Sequence, residues 1–241
     1  MSAITIKNLT KKYGAVTAVD SLNLTIEKGE LFALLGLNGA GKTTTIKMLS
    51  CLIQPTDGDA VLLGDSIKQN PNAVKQKANV SPQETAVAPN LTVLENLELI
   101  AGIYGQNAED SKKSAKTMSL HFGLNDVLSK KAKTLSGGMQ RRLSIAMALI
   151  SNPQVLFLDE PTLGLDVLAR RELWAAIKQL KRKVTIILTT HYLEEVEALS
   201  DRIGVMTKGR LVAVGTSDEL TEQTETASLE DAFISLSGGV L

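Results

Sequence analysis

Gly36-Leu-Asn-Gly-Ala-Gly-Lys-Thr43 follows directly on the unbroken apolar run Leu31–Leu35 and matches the pattern G-x-x-x-x-G-K-[ST]. In such a loop the glycines let backbone N–H groups turn inward around an anion. Lys42 then supplies a point charge to the outer phosphates, and the Thr43 hydroxyl can hold Mg²⁺. The implied ligand is a nucleoside triphosphate. Thr43 to Leu52 reads as the helix that follows, its positive N-terminal end turned toward the phosphates.

Outward from this loop, Val155–Leu158 and Thr185–Leu188 are two more short continuous apolar runs, as parallel strands buried on both faces require. Between them Val167–Arg182 carries Leu173, Ile177 and Leu180 on one helical face, with Asp166 placed to cap it, which makes a strand-helix-strand crossover. Residues 3–8 and 22–27 alternate apolar and polar, as half-buried strands do, and Glu27-Lys-Gly29 and Thr56-Asp-Gly58 read as turns, so the chain opens in a β-rich lobe.

From Pro82 to about Asn152 the pattern is helical throughout, as expected of a lobe inserted into the α/β core. Thr92 and Glu95 form a capping box ahead of a helix that lines up Leu94, Leu97, Ala101 and Tyr104. A second helix, Asp110 to Phe122, buries Ala115, Met118 and Phe122, with His121 beside them as an ordinary packed or surface histidine. Lys130, Lys131 and Lys133 read as a solvated loop. Beyond Leu220 a polar stretch, Glu222 to Thr226, precedes a short amphipathic segment around Leu229–Leu236, and no internal repeat is visible.

Composition narrows the class. The 241 residues hold 26 basic and 26 acidic side chains, which argues against broad electrostatic binding to nucleic acid or anionic lipid. Aromatic residues make up 3%, leaving few stacking platforms for single strands. The one cysteine, Cys51, lies in an apolar stretch and is expected to be a plain buried thiol. No leader-like N-terminus and no run of ~18 apolar residues occurs, so the chain is expected to be cytosolic and not itself to cross a membrane.

Two further elements carry chemistry. Val155–Leu158 ends in Asp159-Glu160, two carboxylates at the C-terminal edge of a parallel strand, where open α/β sheets bind ligands. A carboxylate beside a triphosphate is unwelcome unless it works through a metal or accepts a proton, so Asp159 suits Mg²⁺ and Glu160 suits polarising the attacking water. Leu135-Ser-Gly-Gly-Met-Gln140 stands before the helical pattern Arg141–Ile150, where Ser136 can cap the helix and Gly137 and Gly138 let a phosphate approach its amides. One chain thus holds two devices for one phosphate, which suggests that Ser136–Gln140 of one subunit closes over nucleotide held by another.

With these residues in view, the chain resembles the ATP-binding cassette subunit of an ABC transporter over nearly its whole length. Gly36–Thr44 is similar to the Walker A motif, Leu135–Gln140 to the LSGGQ-type signature and Val155–Glu160 to the Walker B motif. The resemblance implies further roles: Tyr13 as the aromatic that stacks on adenine, Gln83 as the Q-loop glutamine that senses Mg²⁺ and the γ-phosphate, Gly164-Leu165-Asp166 as the D-loop and His191 as the switch histidine. Leu37 stands where the family often has Pro, and Met139 departs from the commonest signature spelling; neither removes a needed donor.

The resemblance implies a P-loop NTPase (RecA-like) α/β fold, a parallel-sheet core with an antiparallel β lobe and an inserted all-helical subdomain. The expected division is 1–81 and 153–220 for β lobe and core, 82–152 for the helical subdomain, and 221–241 for a short C-terminal segment. Glu160, His191, Lys42 and Gln83 are the implied catalytic set. Tyr13, Asn38, Gly39, Ala40, Gly41, Lys42, Thr43 and Thr44 would hold ATP, Ser136, Gly137 and Gly138 would cover it, and Thr43, Gln83 and Asp159 would attend Mg²⁺. The implied partners are a second cassette and separate transmembrane subunits at the cytoplasmic face of a membrane, with no nucleic acid. The chain's brevity, Asn90-Leu-Thr-Val-Leu-Glu-Asn96 and the Leu229–Leu236 ending resemble cassettes of ABC-2-type exporters.

Other classes fit less well. A ribosome- or DNA-associated ATPase of the same family would usually bring a second cassette, a long coiled coil or basic arms. A regulatory module without hydrolysis would lack Glu160 or His191. A GTPase would carry an [NT]-K-x-D motif, and none occurs.

Overall fold

In the computed structural model, which describes residues 1–238, the chain forms two sheets wrapped by helices. The strands are β1 (Ser2–Tyr13), β2 (Val16–Glu27), β3 (Leu31–Leu35), β4 (Asp57–Leu62), β5 (Asp65–Ser66), β6 (Ala78–Ser81), β7 (Val155–Asp159), β8 (Thr185–Thr190), β9 (Arg202–Thr207) and β10 (Arg210–Gly215). The helices are α1 (Lys42–Leu49), α2 (Pro71–Lys77), α3 (Val93–Ile103), α4 (Ala108–His121), α5 (Gly137–Leu149), α6 (Val167–Lys178), α7 (Leu193–Leu199), α8 (Ser217–Thr224) and α9 (Leu229–Leu236).

The six-stranded sheet runs β10-β9-β3-β8-β7-β6, parallel throughout except for the β9–β10 pair. Its continuous apolar runs are divided by the two-residue period of a strand. Along β7, Leu156 and Leu158 join the core beneath α3, α5 and α6, while Val155 and Phe157 face the opposite core shared with the antiparallel sheet. Both faces are buried, which is why these strands show no alternation in sequence.

The second sheet, β2-β1-β4-β5, is antiparallel and closes over α1 and the other face of the parallel sheet. Its first two strands are longer than residues 3–8 and 22–27 predict, because several register shifts along β1–β2 let the hairpin bend without losing its pairing.

The helical stretch holds α3, α4 and α5 and no strand of its own. The Thr92–Glu95 capping box forms, with Glu95 N donating to Thr92 Oγ1 at 3.1 Å and Thr92 N to Glu95 Oε2 at 2.7 Å. Leu97, Ala101, Ala115 and Phe122 are buried as expected, but Tyr104 is exposed, since it falls past the last turn of α3. Three other boundaries are corrected. Thr56 bends, but Asp57 and Gly58 already belong to β4; α1 stops at Leu49, three residues early, at Ser50 and left-handed Cys51; and α6 ends at Lys178. The polar stretch after Leu220 continues α8 to Thr224 behind a second capping box, Thr216–Glu219. Leu229–Leu236 is the amphipathic helix α9, and residues 239–241 of the expected C-terminal segment lie outside the described residues.

Candidate functional site

The chain leaves β3 at Leu35 and turns through the glycine loop into α1, so the loop sits at the C-terminal edge of the parallel sheet. Gly41 must be glycine: its φ is 102°, and a Cβ there would lie 2.5 Å from the carbonyl oxygen of Ala18. Lys42 folds back over the loop, its Nζ donating to Gly36 O at 2.7 Å and Leu37 O at 3.2 Å.

Strand β7, separated from β3 by β8, delivers both acids to the same edge. Thr43 Oγ1 donates to Asp159 Oδ1 at 3.1 Å, and Thr189 Oγ1 from β8 donates to that same oxygen at 2.6 Å. The Lys42 ammonium lies 3.1 Å from Glu160 Oε1, with both side chains buried. His191, one residue beyond β8, brings Nδ1 to 2.7 Å from Glu160 Oε2, a close approach that lacks the angle of a hydrogen bond. Glu160 itself has φ 46°, a left-handed backbone unusual outside glycine.

A groove of about 430 Å³ opens at this point, lined by Ala18, the loop from Asn38 through Thr44, Gln83 and Glu160. Lys42, Thr43, Thr44, Gln83, Asp159, Glu160 and His191 are thus brought together from four separate segments. Tyr13 is half exposed at the end of β1, with Lys11 Nζ 5.2 Å from its ring centre, and does not line the groove. Ser136, Gly137 and Gly138 do not line it either. Ser136 caps α5 through Met139 N at 3.3 Å, Gly137 faces open space, and Gly138 packs against Ala169 of α6. A larger hollow of about 540 Å³ lies at the far end of the sheet beside His121, Gln154 and Thr185, away from the phosphate loop and its acids.

Thr43 Oγ1, which lines the groove, and Asp159 Oδ1, 3.1 Å from it, are hard oxygen donors, and no cluster of three or more metal-binding His, Cys, Asp or Glu side chains occurs among the described residues. That set fits Mg²⁺, which takes one or two protein ligands and completes its shell with water and phosphate oxygens.

Three further polar side chains around this cluster are not announced by the sequence. Thr189 orients Asp159 and also receives Glu160 N at 3.0 Å. Arg141 on α5 is 4% exposed, and burial pulls its guanidinium down to about 10, against the opposing pull of Asp159 and Glu195. Glu195 on α7 is fully buried, with Trp174 Nε1 donating to its Oε1 at 3.0 Å; burial first, and the charge of Glu160 as well, push its carboxyl above the usual range. The signal available for Thr189 was its place in a threonine pair closing a buried strand, just before His191.

The ABC transporter family profile matches residues 19–163. The chain is 40% identical to the probable multidrug ABC transporter ATP-binding protein YbhF of Escherichia coli, over 98% of this chain and 42% of that protein. It therefore spans less than half the length of that relative. A solved structure of an ATP-binding subunit of an ABC transporter superposes with a TM-score of 0.87 at 31% identity, covering 98% of this chain and 99% of that one. A dimeric post-hydrolysis structure of the cassette MJ0796 bound to ADP and Pi gives 0.79 at 28% identity, over 88% and 98% of the two chains.

Proposed function

Because the chain belongs to the ABC transporter family, we propose that it is an ATP-hydrolysing cassette that pairs with a second cassette around two ATP molecules and drives separate membrane subunits. The observation that carries this is the convergence of Lys42, Thr43, Asp159 and Glu160 on one groove. Backbone amides from Asn38 to Thr44 and the Lys42 ammonium cradle the phosphates, while Thr43, Asp159 and Gln83 face the cation. Mg²⁺, once bound, neutralises charge on the phosphoryl oxygens. Glu160 takes the proton of the attacking water, and His191 lies on the far side of that carboxylate. Tyr13 stacks on adenine from its exposed position.

A second copy is favoured by Gly137, whose face is bare although this chain's own groove lies elsewhere. Ser136–Gly138 of one cassette would cover ATP held by the other, as the dimeric state of the structural relative suggests. The stretch Gln83–Val93, which joins the groove to α3, is the surface offered to a membrane subunit. No helix among the described residues is long and apolar enough to cross a membrane, in keeping with a peripheral subunit on the cytoplasmic side. The multidrug name of the E. coli relative favours export.

The test is turnover by the purified chain with and without Mg²⁺, beside Glu160→Gln. The substitution should slow hydrolysis ~10²–10⁴-fold, ~3–5 kcal/mol of barrier, while ATP still binds and dimers accumulate. Near-normal hydrolysis by Glu160→Gln would refute the role of the carboxylate.

A further inference from the structure

The Arg141 side chain is buried, yet every hydrogen bond it makes is to a backbone carbonyl. Its Nη2 donates to Asp159 O at 2.7 Å and its Nε to Pro161 O at 2.9 Å. Its Nη1 donates to Pro82 O and, at 3.2 Å, to Gln83 O. The first two carbonyls flank Glu160, whose φ of 46° the chain would not choose unaided. A side chain in that region is strained and persists only where its surroundings over-determine it. On the other side, Glu160 N is held by Thr189 O and Oγ1 at 3.1 and 3.0 Å. A planar fork with five fixed donors is suited to gripping several carbonyls at once.

We propose that Arg141 is the positioning residue for Glu160: from the helix that carries Ser136–Gly138, it clamps the backbone on both sides of the general base and fixes its strained conformation. The same fork takes the carbonyls of Pro82 and Gln83, so the glutamine that faces the groove is set from the same helix. The lid offered to a neighbouring nucleotide and the base acting on this chain's own nucleotide are thereby parts of one rigid piece. Arg141 touches neither phosphate nor water, and its effect is exerted through Glu160. This rests on the assignment of Glu160 as the base.

The experiment is a double-mutant cycle read by single-turnover hydrolysis of ATP, using Arg141→Met, Glu160→Gln and the pair, with ATP affinity measured by titration. Arg141→Met is expected to slow hydrolysis at least tenfold with ATP affinity within about twofold of the parent, and to add little further loss on top of Glu160→Gln, as residues acting as a unit do. Arg141→Lys, which keeps a charge but not the fork, should recover part of the rate. Unchanged turnover in Arg141→Met overturns the proposal, as does a loss that multiplies in full with that of Glu160→Gln, or one matched by equal loss of ATP affinity. Should Arg141→Met not fold, Arg141→Lys is carried through the same cycle under the same criteria. A parent that hydrolyses nothing, or a Glu160→Gln as fast as the parent, would instead sink the assignment of the site itself.

Discussion

Lys42 and Glu160 neutralise each other inside the groove: Nζ lies 3.1 Å from Oε1, and the side chains are 5% and 7% exposed. On the proposed roles, the charge that would meet phosphate and the charge that would meet water thus lie in contact with each other. On those roles a triphosphate would compete with Glu160 for the Lys42 ammonium and leave the carboxylate to the water.

It follows that Lys42→Met removes two things at once. Titration should find ATP binding lost. Urea denaturation should find the fold weaker by about 3–5 kcal/mol, the usual cost of leaving one member of a buried pair uncompensated. Adding Glu160→Gln should restore most of that stability and none of the binding. A single variant as stable as the parent would show that the pair carries no such strain.

The two glycines of the signature turn should separate by role. A Cβ on Gly138 would meet Ala169 Cβ at 2.9 Å, so Gly138→Ala is expected to destabilise by about 1–3 kcal/mol as α5 is pushed from α6. Gly137 has nothing within 4 Å, so Gly137→Ala should melt with the parent. It should nevertheless fail to form dimers with ATP in a Glu160→Gln background, as gel filtration would report. Equal dimer formation with and without the added methyl would mean that no partner closes over this turn.

Thr189 donates to Asp159 Oδ1 at 2.6 Å and receives Glu160 N, so it orients the carboxylate proposed to face Mg²⁺. Thr189→Val keeps the shape and removes the hydroxyl. Loss of such outer support typically costs 10–100-fold in metal affinity or activity. The Mg²⁺ concentration giving half-maximal hydrolysis should therefore rise roughly tenfold. An unchanged Mg²⁺ dependence would remove Thr189 from the site.

Glu195 should leave a mark on the pH dependence of stability. Its folded-state pKa lies above the ordinary 4.5, raised first by burial. The native state therefore holds this proton more tightly than the unfolded chain. Its contribution is fully present below pH 4.5 and is lost as pH climbs through the raised value. Glu195→Gln, which can still accept from Trp174 Nε1, removes the loss. Chemical denaturation should find the variant gaining on the parent as pH rises from 4.5 through the raised value. A constant difference across that interval would contradict a retained proton.

Much of this molecule is legible in sequence because its strongest signals are local. The glycine loop, the apolar strands, the Thr92–Glu95 box and the Asp166 cap each depend on neighbours in the chain, and each forms as expected. The same holds for the order of elements that brings Asp159-Glu160 and His191 to the edge where Lys42 waits. What could not be read is set by contacts between distant segments. β6 is four residues long and is a strand because β7 pairs with it, and Gly58 lies in a strand because β1 holds it there. Arg141 looks like one more cation on a helix until the carbonyls of residues 82, 83, 159 and 161 are seen around it. Burial of Glu195 likewise comes from α6 lying across α7, which no spacing within either helix announces.

The left-handed turn at Glu160 makes working order more fragile than architecture. Its supports come from β8 on one side and from a helix of the inserted lobe on the other, so a small loosening between lobe and sheet lets that single backbone angle relax while every strand stays paired. On warming, hydrolysis should fade several degrees before the far-ultraviolet signal changes, and cooling should bring it back.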